Sequence, residues 1–312
     1  MSSSNQNPRD GGRPAARTTI ERCARFDERR ARVKALVHKR LLEYLEEDLG
    51  RGDITSQAVI PRGTRAAAQV VARQPGVVAG VEESLILCEI AGLVGEALKL
   101  DGHRVATDEA VLWLDGAARD ILGIERTMLN LLGHMSGIAT QARAATEAVQ
   151  GTRTRVAATR KTLPGLRWFE KRAVQLGGAD PHRYELADSL LIKDNHLEIV
   201  GDIAEAVSRG KSRASFTQKV EVEVEALEDA MVAAGAGADA LLLDNMSPAE
   251  IRSIVEAMEE AGLRKKVILE ASGGISIAEL RQFAETGVDV ISLGALTTSA
   301  PFLDLSLEIS TP

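Results

Sequence analysis

The 312-residue sequence predicts an α/β protein in two parts, a small α+β layer followed by a (β/α) barrel with fewer than eight strands. Three observations carry that prediction. Short apolar runs that alternate or pair locally fill residues 66–114. The pattern changes after Gly116, where residues 117–150 read as helices. From residue 154 onward apolar strands and amphipathic helices alternate, with strand starts every 19 to 35 residues, the length of a βα unit.

The chain begins with a Ser/Gly/Pro/Arg-rich stretch. Residues 1–40 hold eleven Lys or Arg against four Asp or Glu, a charge of +7, so a total of −7 leaves −14 on the remainder. A basic leader on an acidic body could be a nucleic-acid arm. Only Phe26 interleaves with its cations, so residues 1–26 read as a disordered basic leader and non-specific nucleic-acid binding is not expected. Residues 1–20 lack the apolar core of a signal peptide, and no run approaches the ~18 apolar residues of a membrane span. Cys23 and Cys88 share no motif spacing and read as free thiols of a cytoplasmic protein.

Leu36, Val37, Leu41, Leu42, Leu45 and Leu49 recur at helical spacing within a helix spanning about 27–49. "EEDLGRGDITS" follows as a Gly-punctuated loop containing Asp48, Asp53 and Thr55. "AAAQVVARQ", "GVVAG", "EALKL" and "AVLWL" read as strands, with a turn at Pro75-Gly76 and a helix at about 81–92. The later strands are "TRVAAT", "SLLIKD", "KVEVEVE", "ADALLLDN", "KKVILEAS" and "DVISLGA". Almost every one ends in polar chemistry: Thr159-Arg160-Lys161, Lys193-Asp194-Asn195-His196, Asp244-Asn245, Ser272-Gly273-Gly274, Gly294. A barrel builds its active site at those ends, whereas an open doubly wound sheet concentrates it at a switch point. No G-x-G-x-x-G follows a strand, so the barrel is favoured.

"VEVEVE" sets Val220, Val222 and Val224 on one face and Glu221, Glu223 and Glu225 on the other. An edge strand with a wet face would read the same way. Between five other barrel-like strands the valines face the helices and the carboxylates the lumen, where they need cations. Arg160, Lys161, His182, Arg183 and Lys193 lie in loops or at strand ends, and Arg126 lies in "IERTMLN". Such cations suit an anion with several charges. "ASGG" and "LGALTT" allow backbone N–H groups to approach a phosphate. Lys171 and Arg172 read as a solvated helix face, Arg172 most plainly, and His196 reads equally as a helix cap.

Taken together, "EDLGRGDITS", "ERTMLNLLGHMSGIAT", "TRKTLPGLR..EKRAVQLGG", "HRYELADSLLIKDNHL", "VEVEVE", "LLLDN" and "EASGGI" resemble the nicotinate-nucleotide pyrophosphorylase, or decarboxylating quinolinate phosphoribosyltransferase, family over about 45–295. The resemblance implies an N-terminal α/β sandwich over 27–134, an incomplete α/β barrel over 135–295 carrying the site, and a segment 296–312 returning to the first domain. It implies a glycosyltransferase of NAD biosynthesis. Quinolinate and phosphoribosyl pyrophosphate would give nicotinate mononucleotide, pyrophosphate and CO2, with Mg2+ as cofactor held mainly by the pyrophosphate. Arg126, Arg160, His182, Arg183 and Lys193 would surround the quinolinate carboxylates, with Thr159 and Lys161 beside them. Glu223 and Asp244 would hold the ribose hydroxyls and the metal, and Ser272, Gly273, Gly274 and Gly294 the 5′-phosphate. Lys161, Lys193, Glu223 and Asp244 would carry the chemistry. Arg126 would reach the neighbouring subunit's site, so a homodimer is expected. Ala179 stands where the family has a third glycine before His182-Arg183. A molybdenum-transport-associated group resembles the same fold and supplies the alternative, an accessory or nucleotide-binding protein.

Overall fold

The computed structural model describes residues 34–310, so the leader expected over 1–26, Cys23 and the last two residues lie outside the described residues. The chain divides into two compact units, Met1–Gly52 and Asp53–Pro312. In the first, residues 34–49 form helix α1, with Arg40 donating to Glu43 one turn on at 2.8 Å.

The second unit opens where the Gly-punctuated loop was expected to continue. Instead Asp53 accepts the Ser56 amide at 3.0 Å and caps a short helix, α2 (Ile54–Val59). An antiparallel sheet follows, built from β1 (Arg65–Ala72), β3 (Val94–Ala97) and β5 (Ala110–Ala117). The last strand, β12 (Leu305–Ser310), pairs with β1 and completes the order β12-β1-β5-β3. β2 (Gly76–Val77), within the expected strand "GVVAG", pairs with β4 (Arg104–Val105), which has no apolar run to announce it. α3 (Val81–Ile90) lies between them in the chain and buries Leu87 and Cys88. Burial pushes the free Cys88 thiol up to about 11, so it is an inert core residue.

Residues 117–150, expected as more than one helix, form a single one. α4 (Ala118–Ala148) is 31 residues long and buries Met128, Leu132, Met135 and Ile138. Two of its three interior glycines, Gly133 and Gly137, have a packing reason. Leu303 donates its amide to the Gly133 carbonyl at 3.0 Å, and a Cβ on Gly137 would lie 1.9 Å from the Pro301 carbonyl oxygen. The segment leading into β12 thus lies directly on the α4 backbone.

The remaining strands are β6 (Arg155–Ala157), β7 (Leu190–Ile192), β8 (Val220–Val224), β9 (Ala240–Asp244), β10 (Ile268–Ser272) and β11 (Val290–Ser292). All pairings are parallel, in the order β6-β11-β10-β9-β8-β7. β6 and β7 are consecutive among the strands of this sheet yet sit at its opposite edges, so the barrel is incomplete. Its helices are α5 (Arg167–Gly177), α6 (Asp194–Val200), α7 (Ile203–Arg213), α8 (Leu227–Gly235), α9 (Pro248–Glu260), α10 (Leu280–Ala284) and α11 (Ala295–Thr298). Their starts are legible locally. Asp202 caps α7, and Ser247 with Glu250 forms a capping box ahead of Pro248 on α9. Among the described residues no helix is long and apolar enough to cross a membrane.

Gly137→Ala tests the α4 contact. Alanine gains about 1 kcal/mol of helix propensity, but the clash is with a backbone carbonyl that cannot rotate away. A net loss of about 1–3 kcal/mol is expected in chemical denaturation; an unchanged midpoint would contradict the packing.

Candidate active site

The site stands at the C-terminal ends of the parallel strands. On β8, Val220, Val222 and Val224 are buried on the side of the helices, while Glu221 and Glu223 are also buried. The stripe is shorter than expected, because the strand ends at Val224 and Glu225 is exposed. Glu223 is answered by Lys193, whose Nζ donates to its Oε2 at 2.8 Å. Lys193 follows β7, which pairs with β8, so the ladder itself brings the two together.

Deeper in the sheet lies a group of which the sequence offered His182 and Glu221 but not Glu270. His182, Glu221 and Glu270 place one ligand-type atom each within 4.8 Å of one another, and His182 Nε2 stands 3.4 Å from Glu270 Oε2. Glu270 is read from "VILEAS" only once the register is known: it pairs with Leu242 on β9, which pairs in turn with Glu223 on β8. Its Oε1 is buried without a hydrogen-bond partner among the described residues. His182 is held in a left-handed conformation, φ 56°. Its amide donates to Asp180 at 2.8 Å, and its Nδ1 accepts the Arg183 amide at 2.7 Å. That leaves Nε2 as the proton-bearing nitrogen facing Glu270.

The rim carries the cations. Burial and then the positive charge of Arg160 hold the Arg183 guanidinium below its ordinary value. Arg183 donates to Ser189 O at 3.0 Å, and Arg160 keeps a buried Nε with no partner among the described residues. Lys161 is exposed, and its stem crosses Gly294: a Cβ there would lie 3.0 Å from Lys161 Cδ and 3.7 Å from Thr159 Oγ1. Thr297 fixes the loop by donating to the Lys161 carbonyl at 2.6 Å. Arg126 is the exception. It is exposed on α4 and makes no hydrogen bond or ion pair among the described residues.

Asp244 ends β9 in register with Ser272 at the end of β10. Ser292 of β11, which sequence reading passed over, donates to Ser272 Oγ at 3.0 Å. Gly273 and Gly274 have φ of 96° and 61°, and a Cβ on Gly273 would lie 2.3 Å from Asn245 Oδ1. Only glycine lets the two loops approach this closely. Thr159, Arg160, Lys161, His182, Arg183, Lys193, Glu223, Asp244, Ser272, Gly273, Gly274 and Gly294 thus fall on or beside the C-terminal half of one sheet.

Two helix-face readings are corrected. Lys171 has no exposed surface, and its Nζ donates to the Pro181 and Arg183 carbonyls. Arg172 is not solvated either: it donates to both Glu83 oxygens at 3.0 Å, to Glu82 at 2.8 Å and to Asp101 at 3.0 Å. Both follow from α5 being covered on more sides than a single stripe indicates. His196 is a cap, with Nδ1 accepting the Lys193 amide at 3.0 Å.

Burial, and then the Glu270 carboxylate, push Glu221 up to about 8. A carboxyl with a folded value above its unfolded one binds its proton more tightly when folded. Its contribution to stability is full below the unfolded value and lost as pH rises through about 8. Glu221→Gln is therefore expected to flatten the fall in melting temperature between about pH 5 and pH 8; parallel profiles for the two proteins would contradict the buried, protonated carboxyl.

The comparisons agree with this architecture. Family models described as quinolinate phosphoribosyl transferase, N-terminal domain, and the C-terminal domain of the same name match residues 53–136 and 138–308. A Methanothermobacter thermautotrophicus protein named "Probable nicotinate-nucleotide pyrophosphorylase (carboxylating)" is 52% identical over 274 residues, covering 86% of this chain and 96% of that one. The nicotinate-nucleotide pyrophosphorylase (carboxylating) of Mycobacterium leprae is 43% identical over 85% of this chain and 94% of its own. The solved nicotinate-nucleotide pyrophosphorylase of Francisella tularensis superposes with a TM-score of 0.83 at 35% identity, over 89% of this chain and 97% of that one. With both halves of the chain matched in order, and the strand-end cations and glycines in one sheet, the chain belongs to the quinolinate phosphoribosyl transferase family.

Proposed function

We propose that this chain is a quinolinate phosphoribosyltransferase of NAD biosynthesis, joining quinolinate to phosphoribosyl pyrophosphate with release of pyrophosphate and CO2. The observation that carries the reading is the mouth itself: Arg160, Lys161, Arg183 and Lys193 lie at or beside the strand ends of the sheet that also carries Glu223 and Asp244, with Lys193 on Glu223 and a glycine loop after β10. Cations suit a dicarboxylate and a polyphosphate, carboxylates suit ribose hydroxyls, and Gly273-Gly274 suits a phosphate. In this reading Arg160, His182, Arg183 and Lys193 hold quinolinate, and Thr159 and Lys161 lie between it and the phosphates. Ser272, Gly273, Gly274 and Gly294 receive the 5′-phosphate. The site is cytoplasmic chemistry, in keeping with a buried free thiol at Cys88.

Two anions must meet, and holding them in reacting geometry is the main task. As the bond from ribose C1 to pyrophosphate breaks, positive charge grows at C1 and negative charge on the leaving group. Glu223 and Asp244 face the first, and Lys161 with the neighbouring arginines faces the second. The quinolinate ring nitrogen becomes cationic on joining C1 and acts as the electron sink for loss of CO2 from the adjacent carbon. The residues fit Mg2+: Asp244 and the Glu223 oxygen not taken by Lys193 are hard donors at the mouth. Held there with the pyrophosphate, Mg2+ would supply charge neutralisation for the leaving group. An accessory protein that only bound nucleotides would have no need of these two acids beside the cations.

Purified protein with quinolinate, phosphoribosyl pyrophosphate and Mg2+ is expected to release CO2 and pyrophosphate in equal amounts. Turnover of nicotinate and none of quinolinate would instead make it a non-decarboxylating transferase.

Arg126, exposed and unpaired among the described residues, is proposed to complete the site of a second subunit in a homodimer. Arg126→Ala and Lys193→Ala, each inactive, should recover up to about a quarter of wild-type activity when mixed, because half the dimers are then mixed and each has one intact site. No recovery, with subunit exchange shown by native mass spectrometry, would rule out sharing.

A further inference from the structure

Helix α5 lies outside the ring of residues assigned to substrate, yet three of its side chains reach the loops that carry that ring. Arg167, Glu170 and Lys171 are spaced i, i+3, i+4, so they share one face. Glu170 has no exposed surface, and its carboxylate accepts the Leu163 amide at 3.2 Å, two residues after Lys161. It also faces His134 Nε2 of α4 at 3.0 Å. Lys171, equally buried, donates from Nζ to the Arg183 carbonyl at 2.7 Å and to the Pro181 carbonyl, and lies 5.3 Å from the Tyr184 ring centroid. Arg167 ties both sides at once, donating to Thr162 Oγ1 at 3.0 Å and to the Tyr184 carbonyl at 3.2 Å.

The anchor is itself rigid. A Cβ on Gly177, at the end of α5, would lie 2.5 Å from the Ala139 carbonyl oxygen, so α5 sits hard against α4. A buried carboxylate and a buried ammonium are each costly unless met by partners. Here the carboxylate finds its amide partner in the loop of residues 160–163, and the ammonium finds carbonyls in the loop of residues 181–184. Neither loop can shift without taking a partner from a buried charged group.

We infer that Arg167, Glu170 and Lys171 form a positioning clamp that sets the separation between the Arg160-Lys161 loop and the His182-Arg183 loop. The clamp rests on the proposed function for its consequence, because that separation then sets the fit of a planar dicarboxylate. These residues touch no substrate; they act through the loops.

The test combines hydrogen exchange with kinetics. Lys171→Met keeps the length of the side chain and removes its donors. Exchange is expected to rise at residues 182–184, and KM for quinolinate to rise about tenfold or more while kcat falls less. Glu170→Leu should raise exchange at Leu163 and raise KM for both substrates, whereas Glu170→Gln, which keeps an acceptor oxygen, should restore most of the loss. If Lys171→Met does not fold, Arg167→Ala at a half-buried position is read instead, with rising exchange expected in both loops. Folded variants with wild-type exchange in both loops would overturn the clamp, and so would raised exchange with unchanged KM. If the wild-type protein does not turn over quinolinate, the proposed reaction fails while exchange alone still decides whether α5 holds the loops.

Discussion

The constraint on which the site depends is that carboxylates inside a barrel must be met. Glu221, Glu223 and Glu270 all lie buried in one parallel sheet. Each takes a different solution: Glu223 takes an ammonium from the next strand, Glu270 faces an imidazole, and burial keeps Glu221 protonated to about pH 8. Removing a partner from such a group leaves an uncompensated charge, which costs more than a surface pair ever returns. The acids and the cations are therefore as much the condition for the lumen to fold as the equipment of the site.

The same logic extends outward through α5. Glu170 and Lys171 are adjacent in sequence and opposite in charge, yet they do not pair with each other. Each is spent on the main chain of a different loop. Arg172, next along, is spent on Glu82, Glu83 and Asp101, which belong to the N-terminal half of the unit. Asp101 also accepts the Gly80 and Val81 amides at the start of α3. One short helix thus links the active-site loops to the layer behind them, and α4 supports it from below. Glycines make the support possible, because Gly137 and Gly177 admit carbonyl oxygens where any side chain would collide. A single helix running from β5 to β6 lets the antiparallel sheet and the barrel share one rigid spine.

Much of this was legible in the sequence. All six barrel strands lie within the apolar runs that predict them, and the cations at their ends come from reading which residues follow each run. Alternation in "VEVEVE" splits the valines from the glutamates, and the five other barrel-like strands around it assign the valines to the helices and the carboxylates to the lumen. Other features were out of reach. β4 is two residues long and has no pattern. Lys171 and Arg172 look like any charged pair on a helix surface, and only the packing of α5 on several sides buries one and pairs the other. Glu270 sits in an apolar run as a lone acid; its neighbours Glu221 and His182 come from another strand and a loop.

What the amino-acid order determined by itself is local: which runs become strand or helix, where caps start helices, and which residues stand at the strand ends. Those follow from periodicity and hydrogen-bonding chemistry within a few residues of the chain. What only the tertiary structure decided is which charges meet. Strand order β6-β11-β10-β9-β8-β7 sets Lys193 on Glu223 and His182 beside Glu270. Coulomb energy depends on distance in space, and pairs 30 and 88 residues apart in sequence become neighbours only when the sheet curls.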